Sequence, residues 1–190
     1  MLFEEVRERL VVHRNVYKPL EDSRMLGHSV ERYAFGKMLD LGTGTGIHGI
    51  IGSLKGCRIT FSDITKESVD CARENARINN VSGDFIRSDL FSNIKGRFNT
   101  IAFDPPYLRS RPLGKGKTNV RTDGGIGGRE TIDRFLKTYK KHVLRKHTVL
   151  LVESYWNDFQ NDVRELNASI VERNHYPLLG DFVVLKFGSL

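Results

Sequence analysis

Long apolar runs are missing from this chain of 190 residues. None approaches the roughly 18 residues of a membrane-spanning helix. Cysteine is scarce too. Cys57 and Cys71 are the only two and form no C-x-x-C pair, which excludes a disulfide framework and suits reduced thiols in a cytoplasmic protein. The six histidines make no H-E-x-x-H or Cys/His ligand cluster, so no metal site is expected. Repeats, low-complexity tracts and linkers are absent, which leaves a single domain. The opening Met1-Leu2-Phe3-Glu4-Glu5 is acidic and reads against a signal peptide. Negative charge is in the minority: 30 Lys and Arg face 23 Asp and Glu, a net +7 with a pI near 9.5. That excess suits an acidic or nucleic-acid-rich partner, or simply a soluble basic surface.

What is present is an alternation of strand-like and helix-like segments. Residues 1–36 precede the first clear core strand and read as an extension packing on the core, with a short helix over Glu4–Val12. A second helix follows Pro19, carrying acidic residues in its first turn and Leu26, Val30 and Tyr33 on one face. From residue 37 to 190 the pattern is that of one domain. A strand from Lys37 runs into Asp40-Leu41-Gly42-Thr43-Gly44-Thr45-Gly46, and Ile47, Ile50, Ile51 and Leu54 then recur at helical spacing. A glycine turn between strand and helix lets a ligand approach the helix N-terminus. The next strand, Arg58–Asp63, ends in an acid about 20 residues past the glycines, placed to accept from both hydroxyls of a ribose. Gly44-x-Gly46-x-x-Gly49 matches the dinucleotide fingerprint, which keeps NAD open. Asp40 would repel a pyrophosphate but welcome an ammonium group, and S-adenosylmethionine has an ammonium and no phosphate. It is therefore the preferred cofactor.

Thr65 is a helix cap, and a helix to about Asn79 leads to a strand over Asp84–Ser88. Asp89 and Leu90 follow it, with Asp89 able to accept from an adenine amino group. The fourth strand, Phe98–Phe103, breaks at once into Asp104-Pro105-Pro106-Tyr107. Each proline biases the residue before it away from the α region, so the backbone stays extended past the strand end. Such a stiff rim suits a planar NH2 group. Asp104 and the Pro105 carbonyl would accept its hydrogen bonds, Pro106 would shape the rim, and the Tyr107 ring would pack on its face. Arg109–Lys117 is basic, glycine-spaced and aperiodic, the composition of a mobile loop. Beyond it come a helix with Ile132, Phe135, Leu136, Tyr139 and Val143 on one face, a strand over Thr148–Glu153, a helix around Phe159–Leu166, and two strands, Ser169–Glu172 and Phe182–Phe187. The expected fold is an α/β three-layer sandwich on a mixed, mostly parallel seven-stranded sheet with an antiparallel last strand.

The glycine loop, Asp63, Asp89 and Asp104-Pro105-Pro106-Tyr107, in that order, resemble a class I, Rossmann-like S-adenosylmethionine-dependent methyltransferase that modifies amino groups. Two longer segments, Val16-Tyr17-x-Pro19-x-Glu21-Asp22-Ser23 and Gly124-Gly125-x-x-Gly128-Arg129-Glu130-x-Ile132-Asp133-Arg134-Phe135-Leu136, resemble the eukaryotic and archaeal HemK-like (PrmC-related) branch. Members of that branch methylate the glutamine amide in the Gly-Gly-Gln tip of class 1 peptide-chain release factors. The resemblance implies cofactor contacts from Ser23, Asp40, Gly42, Asp63, Asp89 and Leu90, and a substrate contact from Asp104. Tyr17, Gly44 and Gly46 are further candidate cofactor contacts, and Pro105, Pro106 and Tyr107 complete the candidate acceptor site. A small zinc-containing activator subunit is implied in the same way. One position departs from the branch, which carries Asn where this chain has Asp104. An Asn answers both the donor and the acceptor of a glutamine amide, whereas an ionised Asp only accepts. Aspartate there resembles enzymes acting on nucleic-acid amino groups, so guanine or adenine amines remain the alternative acceptors.

Overall fold

A computed structural model describes residues 1–109, 122–177 and 180–189. Seven strands form one sheet: β1 (Lys37–Leu41), β2 (Arg58–Asp63), β3 (Gly83–Arg87), β4 (Phe98–Phe103), β5 (Val143–Ser154), β6 (Ser169–Tyr176) and β7 (Gly180–Ser189). Their spatial order is β3-β2-β1-β4-β5-β7-β6. The pairings from β3 across to β5 are parallel, and only β7 runs against its neighbours. The order reverses between β1 and β4, the position at which open α/β sheets bind ligands beyond the strand carboxyl ends.

Helices α1 (Leu2–Glu8), α2 (Glu21–Tyr33), α3 (Ile47–Leu54), α4 (Lys66–Ile78), α5 (Glu130–Thr138) and α6 (Phe159–Glu165) join these strands. The two sheet faces are distinguished by alternation along β4. Thr100 bonds Phe35, just past α2, through its hydroxyl. Phe103, one pleat out of phase, packs on Phe135 of α5 with ring centroids 5.0 Å apart. Helices α2 and α5 therefore cover opposite faces, and the sheet is the middle of three layers. β1 and β4 are apolar over most of their length, as strands buried on both faces must be. Phe3, Leu26 and Val30 of the first two helices are fully buried in the same core.

Several boundaries differ from the sequence reading. Helix α5 ends at Thr138, so Val143, expected on its face, instead opens β5 well before Thr148. Strands β6 and β7 run past Glu172 and Phe187. Two further differences have visible local reasons. Helix α1 stops at Glu8 rather than Val12, because both backbone groups of Val11 are claimed by the Asn75 side chain at 2.8 Å. Strand β3 begins at Gly83 and ends at Arg87, leaving Ser88 to turn the chain: its hydroxyl donates to the Leu90 carbonyl at 2.8 Å. Thr65 caps α4 as expected, its hydroxyl accepting from Ser68 N–H. Most of the basic loop, 110–121, lies outside the described residues; Arg109 is seen with its guanidinium 5.0 Å from the Trp156 ring centre.

Candidate active site at the β1–β4 switch point

A cavity of about 480 Å³ opens at the carboxyl ends of β1, β2 and β4. Tyr17, Ser23, Gly42, Gly44, Asp63, Asp89, Leu90, Asp104, Pro105, Pro106 and Tyr107 line it, so eleven expected site residues from five separate chain segments meet in one place. Asp40 and Gly46 do not line it.

Their positions explain why. Asp40 is turned beneath the glycine loop, where one oxygen accepts from the Thr43 hydroxyl at 2.6 Å and the Gly49 amide at 2.9 Å. It braces the loop and offers no open carboxylate to an ammonium group. Burial raises its pKa to about 7, partly offset by those two donors. His48 lies alongside, its Nε2–H donating to the Ser23 carbonyl at 3.0 Å. Burial lowers its pKa to about 4, so the ring is neutral and its 3.8 Å approach to Asp40 is no ion pair. Gly46 has φ +86, and a Cβ there would meet the Ala72 backbone of α4 at 3.1 Å. This glycine permits helix contact, not ligand approach.

Asp63 behaves as a rim acid. One oxygen accepts from the Gly44 amide at 3.1 Å, and the other from the Thr65 amide and hydroxyl at 3.0 and 3.1 Å. Two carboxylate oxygens offer about four lone-pair sites, so capacity remains for a ligand hydroxyl. Asp89 is exposed and ion-paired to Arg134 of α5 at 2.7 Å. Beside it Leu90 holds φ +46.

The Asp104 side is built on Asp22, to which the sequence reading assigned no role. Both Tyr17 (3.0 Å) and Tyr107 donate their hydroxyls to its Oδ2, and the Ser23 amide donates to its Oδ1 at 2.7 Å. Tyr107 is thus anchored by its hydroxyl, with its ring edge-on to Phe182 at 5.5 Å, and forms wall rather than a freely stacking plate. Among the described residues Asp104 accepts only from the Ser23 hydroxyl, at a long 3.4 Å, and its Oδ1 is buried with no partner. Burial first, and then the negative charge of Asp22, push its pKa well up. The Pro105 carbonyl accepts nothing among the described residues, whereas the Tyr107 carbonyl takes a bond from Asn157 at 3.0 Å. Asp104 and Pro105 both line the cavity.

The glycine-rich segment before α5 clamps this rim. Gly128 (φ +70) approaches so closely that a Cβ would lie 2.6 Å from the Tyr107 carbonyl oxygen. Arg129 grips Asp162 of α6 through two bonds of 2.9 and 3.1 Å, reaches Asp133 at 2.9 Å, and donates to the Asn157 carbonyl. Asn157, unremarked in the sequence, also bonds Gly128 at 2.8 Å. Its Oδ1 accepts locally from the Ser154 amide and hydroxyl, but the rim partners of its Nδ2 lie 29 and 50 residues away, beyond any local signal.

Residues 18–118 match the family described as the methyltransferase small domain. The chain belongs to that family. It is 36% identical over 157 residues to a putative protein N5-glutamine methyltransferase of Methanocaldococcus jannaschii, covering 81% of this chain and 80% of that protein. It is 32% identical over 136 residues to Methyltransferase HEMK2 of Mus musculus, 64% of each chain. With the release factor glutamine methyltransferase of Deinococcus radiodurans it shares 33% identity over 89 residues, 46% of this chain and 32% of that one. The chain thus spans less than two thirds of the last two relatives. In fold it resembles the ribosomal protein L11 methylase of Lactobacillus delbrueckii subsp. bulgaricus (TM-score 0.65, 17% identity, 90% and 80% of the two chains). The expected HemK-like resemblance and α/β methyltransferase fold are therefore borne out, and the chain is an S-adenosylmethionine-dependent N-methyltransferase.

Proposed function

We propose that this methyltransferase acts on the side-chain amide of a glutamine in a class 1 peptide-chain release factor. Two cavity-lining groups with acceptor capacity to spare, the Asp104 carboxyl and the Pro105 carbonyl, carry the reading. They match the two N–H groups of a primary amide, and the names of the protein-glutamine relatives agree.

The cavity suits the methyl donor. Asp63 keeps acceptor capacity for ribose hydroxyls, Ile64 and Leu90 give apolar flanks to a flat ring, and Asp89 stands where it can accept from an amino group. The glycine loop forms one side of the cavity through Gly42, Thr43 and Gly44. When bound, S-adenosylmethionine supplies an electrophilic methyl group. The chain's own residues must then solve the acceptor's problem, because an amide lone pair is delocalised and weakly nucleophilic. Holding both N–H groups against Asp104 and Pro105 turns the nitrogen toward the donor. The consecutive prolines keep those acceptors from relaxing. Orientation of this kind contributes on the order of 7 kcal/mol or more. The small zinc-containing activator subunit belongs to the same proposal and rests on family resemblance alone.

Tritiated S-adenosylmethionine offered with purified release factor and, separately, with bulk RNA tests the acceptor. Label is expected in the release factor, on glutamine; label confined to RNA overturns the reading in favour of a nucleobase amine. Asp104→Ala is expected to abolish transfer while cofactor affinity by calorimetry stays within a few-fold. Equal loss of both would remove Asp104 from the acceptor site.

A further inference from the structure

The Ser23 hydroxyl lies 3.5 Å from Asp22 Oδ1 and 3.4 Å from Asp104 Oδ2, so the two carboxyls are neighbours, and their surroundings are unequal. Three donors converge on Asp22: the Tyr17 and Tyr107 hydroxyls and the Ser23 amide. A carboxylate satisfied in that way is the natural seat of the negative charge. Asp104 has one long bond from the Ser23 hydroxyl and an oxygen buried with none. Nothing positive bonds to it among the described residues. Of those lining the cavity, Arg134 is bonded to Asp89 and His48 is neutral, while Asp63 adds negative charge, as does Asp40 beneath the glycine loop. Two carboxyls in one water-poor site do not both ionise, and the proton stays on the less supported member.

We propose that Asp104 meets its substrate as a neutral carboxylic acid, its carbonyl oxygen accepting from the glutamine NH2 and its O–H donating to the glutamine C=O. Asp22 acts as the positioning residue by holding the charge in its place. This rests on the glutamine reading above and removes its main chemical difficulty. A protonated carboxyl offers one donor and one acceptor in the shape of an Asn side chain, so the chain reaches the two-way match to an amide with an acid at that position. The raised pKa of Asp104, from burial and from Asp22, agrees. A neutral Asp104 orients the amide and takes no proton from it: as the S–CH3 bond breaks and the N–CH3 bond forms, the displaced N–H proton leaves to solvent.

Two measurements test this. The first is infrared difference spectroscopy of wild type against Asp104→Asn, with and without S-adenosylmethionine. A protonated-carboxyl C=O band is expected in wild type at neutral pH, lost in the variant, and surviving when the positively charged donor binds. Absence of the band, or its loss on donor binding, overturns the proposal. The second is the pH profile of methyl transfer to release factor, each enzyme normalised to its own maximum. The wild-type rate should fall about tenfold per pH unit above the Asp104 pKa as the acid ionises. Asp104→Asn should lack this limb, and Asp22→Asn should move it to lower pH by removing the neighbouring charge. Identical profiles, or a wild-type rate that climbs as Asp104 ionises, would refute it. If the band persists while only RNA takes label, the proton assignment stands and the glutamine reading fails.

Discussion

At the scale of single residues, the glycine loop rests on two buried groups with opposite pKa shifts. Asp40 is raised from 3.8 to about 7, so between those values the folded state holds a proton that the unfolded chain has lost, and its share of stability declines as pH rises. His48 is lowered from 6.5 to about 4, so its share is full above 6.5 and is lost as pH falls toward 4. Between about 4 and 6.5 the two slopes cancel. Asp40→Asn should expose the histidine alone: thermal melts should then show stability falling by on the order of 1 kcal/mol per pH unit on acidification across that window. A slope no steeper than wild type would mean that His48 is not buried neutral. On the other side of the cavity, Asp63→Ala should weaken S-adenosylmethionine binding before it lowers the maximal rate. Calorimetry reads the difference, and unchanged affinity would refute the ribose assignment.

At the scale of elements, the segment from Gly124 to α5 is what turns a strand end into a rigid rim. The expected roles of Asp104-Pro105-Pro106-Tyr107 depended on local stiffness from the prolines, which was legible in the sequence. The clamp on the far side was not, because Arg129, Asn157 and Asp162 converge from three separate elements. Gly128→Ala forces a left-handed backbone onto a side chain that has no room beside Tyr107. It should cost on the order of 2 kcal/mol or more. Its effect on methyl transfer should exceed its effect on cofactor affinity, since the glycine touches the acceptor rim and not the Asp63 side. Parallel loss of the two would place the clamp's role elsewhere.

For the molecule as a whole, the first two helices are built into the fold. Phe3 is fully buried although 34 residues separate it from the first strand, and Asp22 and Ser23 supply part of the site wall. Phe3→Ala should therefore lower global stability by about 3–5 kcal/mol, with a single cooperative transition in urea. A separate early transition would show that residues 1–36 fold independently. The alternation of strands and helices, the glycine turn and the run of acids at strand ends were local patterns, and they determined the sheet architecture and brought all the expected site residues except Asp40 and Gly46 to the cavity. Packing decided the rest. Whether an acid opens on the cavity or braces a loop depends on which donors surround it, and those donors come from distant parts of the chain. Asp40 and Asp63 read alike in the sequence, yet Thr43 and Gly49 close over the first while the second faces the ligand space. The inequality between Asp22 and Asp104 arises in the same way, from two tyrosine hydroxyls that only the folded chain brings to one carboxylate.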